Sequence, residues 1–142
     1  MKFSHKLSDA VHLLAYIEIF ADDDLSSRAI ARSIVTNPSM VRSLMMDLRK
    51  AGLLKTKQGS AEPELAKQPE EISLYDIFAA VDMDHHLLHV DEDTAEKCPV
   101  GGNIQVPLAK AYAEVEEAAF AKMREISLQE IVDQIKEEGQ LA

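Results

Sequence analysis

Hydrophobic and polar residues alternate along the chain with the period of an α-helix in several separate stretches. The first covers about residues 4–21 and places these apolar side chains on one face: Leu7, Val11, Leu14 and Ile17. Another stretch repeats the pattern with Val41, Leu44, Met45 and Leu48. Spacings of three and four residues are those of an amphipathic helix that buries one face. The pattern therefore predicts a mainly α-helical fold.

The strongest local signal is Asn37-Pro38, which lies between two short helical stretches. Asparagine is a preferred N-cap, and proline suits the first helical position because its missing N–H would have no partner there. A helix is therefore predicted from Pro38 to Ala51, with Gly52 available for a left-handed cap.

A shorter helix precedes this one, because Ser26 or Ser27 can cap a helix that reaches about residue 33. Two helices this close together, the second basic and amphipathic, indicate a helix-turn-helix that places its second helix in a DNA groove. Ser39 and Arg42 lie near the start of that helix and off its apolar stripe, where a recognition helix touches bases.

The residues after the helix-turn-helix predict a small two-stranded β-wing. Residues 53–57 are strand-like, and residues 62–67 could return as a second strand. The return is poor in strand-forming residues and contains Pro63, so we expect it to be frayed or disordered. A short helix with a capping box follows over about residues 73–81.

The C-terminal part predicts a long helix, from residue 103 to about 126, that needs a partner helix. Its apolar positions are nearly heptad: Leu108, Tyr112, Val115, Ala119, Met123 and Ile126. Such a seam is typical of helix–helix packing, and few other helices of the chain are available to cover it. We therefore predict a homodimer through residues 103–126, followed by a last helix over about residues 128–137.

The chain thus divides into three parts. These are a winged helix-turn-helix domain (1–82), a polar, irregular connection (83–102), and the dimerisation helix with the C-terminal helix (103–142).

Charge is divided unevenly between the two parts of the 142-residue chain, whose net charge is −10. Residues 1–60 hold nine Lys and Arg against six Asp and Glu (+3), whereas residues 61–142 hold six against nineteen (−13). A basic head on an acidic body is what a DNA-binding domain on a solvated scaffold would show.

No apolar run is long enough to span a bilayer, and one cysteine suits a reducing compartment. We therefore expect a cytoplasmic protein with no membrane contact.

With these elements in order, the sequence resembles the Rrf-two family of winged helix-turn-helix transcriptional regulators, which includes the bacterial iron–sulfur cluster regulator and the cysteine-metabolism repressor. The resemblance covers nearly the whole chain. It rests on Met1-Lys2-Phe3-Ser4, Asn37-Pro38-Ser39-Met40-Val41-Arg42, Leu48-Arg49-Lys50-Ala51-Gly52-Leu53-Leu54, Pro69-Glu70-Glu71-Ile72-Ser73-Leu74, and Cys98-Pro99-Val100-Gly101 running into Asn103-Ile104-Gln105.

The resemblance implies a DNA-binding regulator, a repressor that acts as a homodimer on a roughly palindromic operator. It implies DNA contacts at the start of the recognition helix, from Asn37, Ser39, Met40 and Arg42, with Ser39 and Arg42 reading base edges. It also implies backbone contacts from Lys2 and Arg28, and contacts near the wing from Lys55 and Lys57.

Two features depart from the family pattern. Residues 59–65 hold one glycine and two carboxylates, where family wings commonly carry a basic residue and a glycine run, so we do not expect this wing to enter the minor groove. Cluster-binding members carry three closely spaced cysteines before the long helix, whereas this chain has Cys98 alone. Because an iron–sulfur cluster needs roughly four ligating groups, we expect no such cluster and no other cofactor.

Several residues admit two interpretations. Arg42 either contacts guanine or a phosphate, or is a solvated surface arginine that pairs with Asp47 or a neighbour. Met40 either presses on a thymine methyl group or packs beneath the preceding helix. We expect Cys98 to be an ordinary, partly buried cysteine whose pKa is raised by nearby acidic residues, rather than a redox sensor.

The connection also holds His85, His86 and His89, which could offer nitrogen ligands to a metal or an effector. Adjacent histidines on a loop are more often polar surface, so no metal site is predicted. A sensor that binds a metal or small molecule through the 85–98 connection stays open as an alternative, as does an interaction protein that has lost DNA binding. An enzyme is not expected, because the chain offers no nucleophile–base pair, phosphate loop or metal-protease spacing.

Overall fold

The structure is a computed structural model that describes residues 4–82 and 84–142. Its elements are α1 (Lys6–Ile19), α2 (Ser27–Ile34), α3 (Pro38–Lys50), β1 (Leu54–Thr56), β2 (Pro63–Leu65), a 3₁₀ turn (Pro69–Glu71), α4 (Leu74–Val81), α5 (Gln105–Glu125) and α6 (Leu128–Glu138). This order matches the predicted mainly helical, winged helix-turn-helix fold, with element ends that differ from the predicted ones by a few residues. Among the described residues, no helix is both long and apolar enough to cross a bilayer.

Local capping signals set where α3 begins and ends. The Asn37 side-chain oxygen accepts a hydrogen bond from the Met40 N–H at 2.9 Å, and Pro38 occupies the first helical position. Gly52 follows the helix with a φ of 78°, a conformation that glycine adopts without a steric penalty. The helix therefore has the N-terminal cap that the sequence predicts, and it ends one residue before the predicted Ala51.

The head, which comprises α1 to α4 with the wing, shares one hydrophobic core with α6. The largest fully buried side chains are Leu13, Leu14, Ile30, Val41, Leu44, Leu48, Leu53, Ile72, Ile77, Leu128 and Val132. Leu128 and Val132 belong to α6, and the Leu128 N–H donates to the Ile72 carbonyl oxygen at 2.8 Å. The C-terminal helix therefore completes the core of the head, a placement that its local sequence does not reveal.

The wing is ordered, so the expectation of a frayed or disordered return strand is wrong. β2 pairs antiparallel with β1, with Leu54 opposite Leu65 and Thr56 opposite Pro63. Proline is tolerated because each strand of a two-stranded sheet is an edge strand. Burial compensates for the weak strand propensity, since Leu54 and Pro63 are buried and Leu65 packs against the core.

The long helix α5 is attached to the head by an aromatic cluster. The Phe120 ring centroid lies 5.3 Å from that of Tyr75 and 5.5 Å from that of Phe78, and the Arg124 guanidinium carbon lies 4.1 Å from the centre of the Tyr75 ring. Phe120 is not part of the predicted seam, whereas Val115, which is part of it, is 57% exposed. The contacts of α5 with its own chain therefore follow the predicted seam only in part.

The turn between α2 and α3 contains a strained residue, Val35. Its backbone is left-handed (φ 64°, ψ 54°) and its side chain is 89% exposed. A β-branched residue in this conformation is an outlier, with an energetic cost of about 1–2 kcal/mol. No burial of the side chain offsets this strain.

We expect Val35→Gly to raise the free energy of unfolding by up to about 1 kcal/mol, because glycine removes the strain but loses more chain entropy on folding. The midpoint of thermal unfolding should rise by roughly 2–4 °C for each kcal/mol gained. Val100→Gly is the matched control, since Val100 is also an exposed valine (69%) but lies outside the positive-φ region. The control should not gain stability, and a midpoint for Val35→Gly at or below that of the parent would contradict the strain.

Candidate nucleic-acid interface

The helix-turn-helix presents one face of α3 to solvent. Residues 35–37 form the turn between α2 and α3, which is the length expected for this motif. The buried side chains of α3 are Val41, Leu44, Met45 and Leu48. Because these four residues occupy the inner side of the helix, the exposed residues of α3 point away from the core.

Arg42 is exposed and is held near the start of α3 by two hydroxyl groups. Its Nη1 donates to Ser27 Oγ at 3.3 Å, and its Nη2 donates to Ser39 Oγ at 3.4 Å. In the described part of the chain these contacts take the place of the ion pair with Asp47 considered as an alternative. Neutral hydroxyl groups orient the guanidinium without cancelling its charge, so the charge stays available for a phosphate or a guanine.

The contact between Ser27 and Arg42 was not predicted from the sequence. Ser26 is the N-cap of α2 and accepts the Ala29 N–H at 3.2 Å, which leaves the Ser27 hydroxyl free to meet Arg42. The sequence identified both serines only as capping candidates. The pairing across the turn depends on how α2 packs against α3, and no local pattern encodes that.

The other predicted contact residues on the helix-turn-helix are accessible. Arg28, Asn37 and Ser39 are exposed, and Met40 is 38% exposed. The Asn37 oxygen is occupied by the cap of α3, so its amide N–H₂ is the group left for another partner. The exposure of Met40 does not separate its two interpretations.

The predicted wing residues lie on a separate element. Lys55 and Lys57 are both exposed, and Lys55 Nζ lies 3.5 Å from Glu64 Oε1 across the strand pair. A surface pair of this kind contributes little to stability, so Glu64 competes only weakly with a phosphate for Lys55. Lys2, also predicted to contact DNA, lies outside the described residues.

A buried carboxylate on α5, Glu116, which is 6% exposed, holds the 86–88 segment of the connection between α4 and α5. It accepts the backbone N–H groups of Leu87 and Leu88 at 2.5 and 3.1 Å, and His86 Nδ1 lies 3.2 Å away. Burial raises the pKa of Glu116, but the hydrogen bonds from Leu88, Leu87 and His86 together outweigh it and hold this pKa below its usual value. Nothing in the sequence separates Glu116 from the exposed acidic residues around it on α5.

The remaining histidines of the connection have local partners. His89 Nε2 lies 2.9 Å from Asp84 Oδ2, and the backbone N–H of His85 donates to Asp82 Oδ1 at 3.2 Å. A hydrogen bond from Asp82 and, to a smaller extent, one from His89 hold the pKa of Asp84 well below its usual range. An effector role for His85, His86, His89 and Cys98 stays a prediction.

Cys98 differs from the expectation in two ways. It is exposed rather than partly buried, and hydrogen bonds from the backbone N–H groups of Gly101 and Val100 lower the pKa of its thiol, where nearby acidic residues were expected to raise it. The cause is a tight turn in which the Gly102 N–H donates to the Cys98 carbonyl oxygen at 2.7 Å. The turn directs backbone N–H groups at the sulfur, whereas solvent screens the exposed carboxylates.

A helix-turn-helix with an exposed, partly basic recognition face, followed by an ordered wing, defines a winged helix-turn-helix DNA-binding regulator. Residues 3–134 match the family described as Rrf2, iron-dependent transcriptional regulator. The chain belongs to the Rrf2 (Rrf-two) family of transcriptional regulators.

Individual relatives agree with this assignment. The chain is 34% identical over 130 residues to YwnA of Bacillus subtilis (strain 168), described as an HTH-type transcriptional regulator, and the match covers 92% of this chain and 96% of YwnA. A crystal structure of a protein described as DNA-binding matches with a TM-score of 0.69 and 32% identity, covering 89% of this chain and 97% of the other. T. potens IscR shares the fold, with a TM-score of 0.71 at 22% identity, covering 100% of this chain and 93% of the other. The predicted family and fold class are confirmed.

The family description names iron, but the side chains that the structure describes do not form a site for an iron ion or an iron–sulfur cluster. Across residues 4–82 and 84–142, no three or more His, Cys, Asp or Glu residues are placed to hold a metal ion. Cys98 is the single thiol of the chain, and His86 and His89 face Glu116 and Asp84.

Proposed function

We propose that this regulator is a homodimeric repressor that binds a roughly palindromic operator through α3. The observation that carries the proposal is the outward projection of the first turns of α3. Ser39 and Arg42 are exposed, while Val41 and Leu44, on the opposite side of the same turns, are buried. A helix with this division can enter the major groove without disturbing the core.

Recognition then divides between base edges and phosphates. The residues near the start of α3, Asn37, Ser39, Met40 and Arg42, would face base edges, and a bidentate contact of Arg42 with guanine would be the main source of discrimination. Arg28, Lys2, Lys55 and Lys57 would contact the sugar–phosphate backbone and set the register. A repressor of this kind acts by excluding polymerase from the DNA that it covers.

The long helix supports the homodimer. Of its 21 residues, only Glu116 is buried by the described part of the chain, and Val106 (81%) and Val115 (57%) are largely exposed. A second copy packed on this helix would remove these apolar side chains from water. A two-fold dimer would then place its two α3 helices in successive major grooves, roughly 34 Å apart, on a site with matching half-sites.

Selection of bound sequences from random DNA duplexes at two salt concentrations tests the proposal. We expect a two-fold symmetric consensus and an affinity that falls steeply with salt, because phosphate contacts release counterions. On the selected site, Arg42→Ala should weaken binding about 10–100-fold per half-site, the range expected from losing one bidentate guanine contact.

Lys136→Ala is the control for charge, since it removes one positive charge from α6, outside the helix-turn-helix. The affinity of this variant should stay within about twofold of the parent, because a single charge outside the DNA-binding face is largely screened by salt. Failure to enrich any sequence, or equal affinities of the parent and Arg42→Ala, would refute the proposed mode of recognition.

A further inference from the structure

Met46 lies at the centre of the outward face of α3. Residues 39, 43, 46 and 50 are spaced by four, three and four positions. Each residue turns the helix by about 100°, so these four lie within about 60° of one another around the helix axis. This arc is opposite the buried side chains of the helix, Val41, Leu44, Met45 and Leu48. Met46 is 56% exposed, and the sequence pattern alone gives it no role.

The surroundings of Met46 are polar and positively charged. Ser39 and Ser43 precede it on the same face, and Arg42, Arg49 and Lys50 flank it on α3, which carries one acidic residue, Asp47. A large apolar side chain within such a face has no role in the core. The basic residues around it suit DNA, and its own chemistry suits an apolar feature of DNA.

We propose that Met46 is a specificity-determining residue that contacts the 5-methyl group of a thymine in the major groove. This inference rests on the proposed binding of DNA through α3. The thymine methyl is the apolar feature that the base edges present in the major groove, and apolar side chains recognise it by contact. Met46 lies seven residues after Ser39, which is about 10 Å along the helix axis. It therefore reads a base pair beyond those that face the first turn.

Methionine is suited to this contact because its unbranched, polarisable side chain adapts its shape to a small apolar group. Burial of one methyl group corresponds to about a fourfold change in affinity. The effect is smaller than that of a bidentate arginine, and it is confined to one position in each half-site.

The test uses the whole 142-residue chain and its selected operator. Each thymine of the operator is replaced in turn by deoxyuridine, which lacks only the methyl group. For the parent, replacement at one position in each half-site should weaken binding about fourfold per half-site. Met46→Ala should bind the unmodified operator more weakly and lose its sensitivity at that position, while keeping the parent's response at all others. Met46→Gln, which keeps the length of the side chain but is polar, should behave in the same way.

Met40→Ala is the comparison variant, because Met40 is the other exposed methionine of α3. Met40 also faces base edges in the proposed binding mode, so a weaker overall affinity of Met40→Ala is compatible with the assignment, but this variant should keep the methyl sensitivity at the position assigned to Met46. Retention of the methyl sensitivity by Met46→Ala, or its loss in Met40→Ala instead, would overturn the assignment. In both cases, the proposed function would still hold if an operator is selected and Arg42→Ala binds it with the expected loss of affinity. Absence of any selected operator would overturn both.

Discussion

Replacement of Glu116 by alanine is expected to lower the free energy of unfolding by about 2–4 kcal/mol. Its two hydrogen bonds from backbone N–H groups are worth about 1.5–3 kcal/mol each, and water partly replaces them at the exposed Leu87 and Leu88. The carboxylate accepts the Leu87 and Leu88 N–H groups and faces His86. These contacts join the connection to α5, which otherwise meets the head through the aromatic cluster. Loss of the carboxylate should therefore loosen the connection first.

Urea unfolding and amide hydrogen exchange check this prediction separately. The urea midpoint should fall, and the amide protons of Leu87 and Leu88 should exchange faster even where the core is still protected. Glu117→Ala is the matched control, because Glu117 is the exposed neighbour of Glu116 on the same helix and its removal should change stability by less than about 0.5 kcal/mol. Unchanged exchange at Leu87 and Leu88 in Glu116→Ala would contradict the role assigned to the carboxylate.

The same carboxylate gives the connection a defined pH dependence. The pKa of Glu116 is lower in the folded protein than its ordinary value of 4.5, so the unfolded state binds its proton at a higher pH. The stabilisation is therefore fully present well above pH 4.5 and is lost as the pH falls through the folded-state pKa. The difference in stability between the parent and Glu116→Ala should shrink in that acid range, and a difference that grew on acidification would have the wrong sign.

Replacement of Phe120 by alanine is expected to lower the free energy of unfolding by about 2–4 kcal/mol, somewhat less than the full range for a buried phenylalanine because the ring is partly exposed. The ring meets Tyr75 edge-on and also contacts Phe78, which is 2% exposed. Its removal leaves space beside α4 and withdraws the main apolar contact between α5 and the head. The urea midpoint should therefore be lower than in the parent, with little change in the slope of the unfolding transition.

Val100→Ala is the control for Phe120, since Val100 is an exposed valine (69%) that lies outside α5, the helix proposed to form the dimer. Both variants should be compared with the parent at one protein concentration, because self-association raises apparent stability with concentration. A loss below about 0.5 kcal/mol in Phe120→Ala would show that the aromatic cluster does not attach α5 to the head.

The local features of the helix-turn-helix could be predicted from the sequence because they depend on neighbouring residues. Asn37-Pro38 starts α3 independently of the rest of the fold, because the cap joins Asn37 to the N–H of Met40, only three residues away. The capping boxes at Ser73 and Ser127 form for the same reason. The apolar spacing of α3 likewise identified which residues face inward and, by exclusion, that Ser39 and Arg42 face outward.

The errors share one feature: in each case the deciding group was not a side chain close by in the sequence. Low strand propensity predicted a frayed wing, but contact with the core keeps β2 paired. Acidic neighbours in the sequence predicted a raised pKa for Cys98, but backbone N–H groups in a tight turn lower it. In each case the deciding group was either far away in the sequence or belonged to the backbone.

By itself, then, the sequence determined the succession of helices, their caps, the family and the outward direction of the recognition face, because these depend on side-chain period and on bonds spanning three or four residues. Only the tertiary structure decided that Ser27 holds Arg42, that α6 completes the core and that Glu116 attaches the connection to α5. Those contacts join residues between 15 and 56 positions apart. Such pairs form only where packing brings distant parts of the chain together, so no local sequence pattern predicts them.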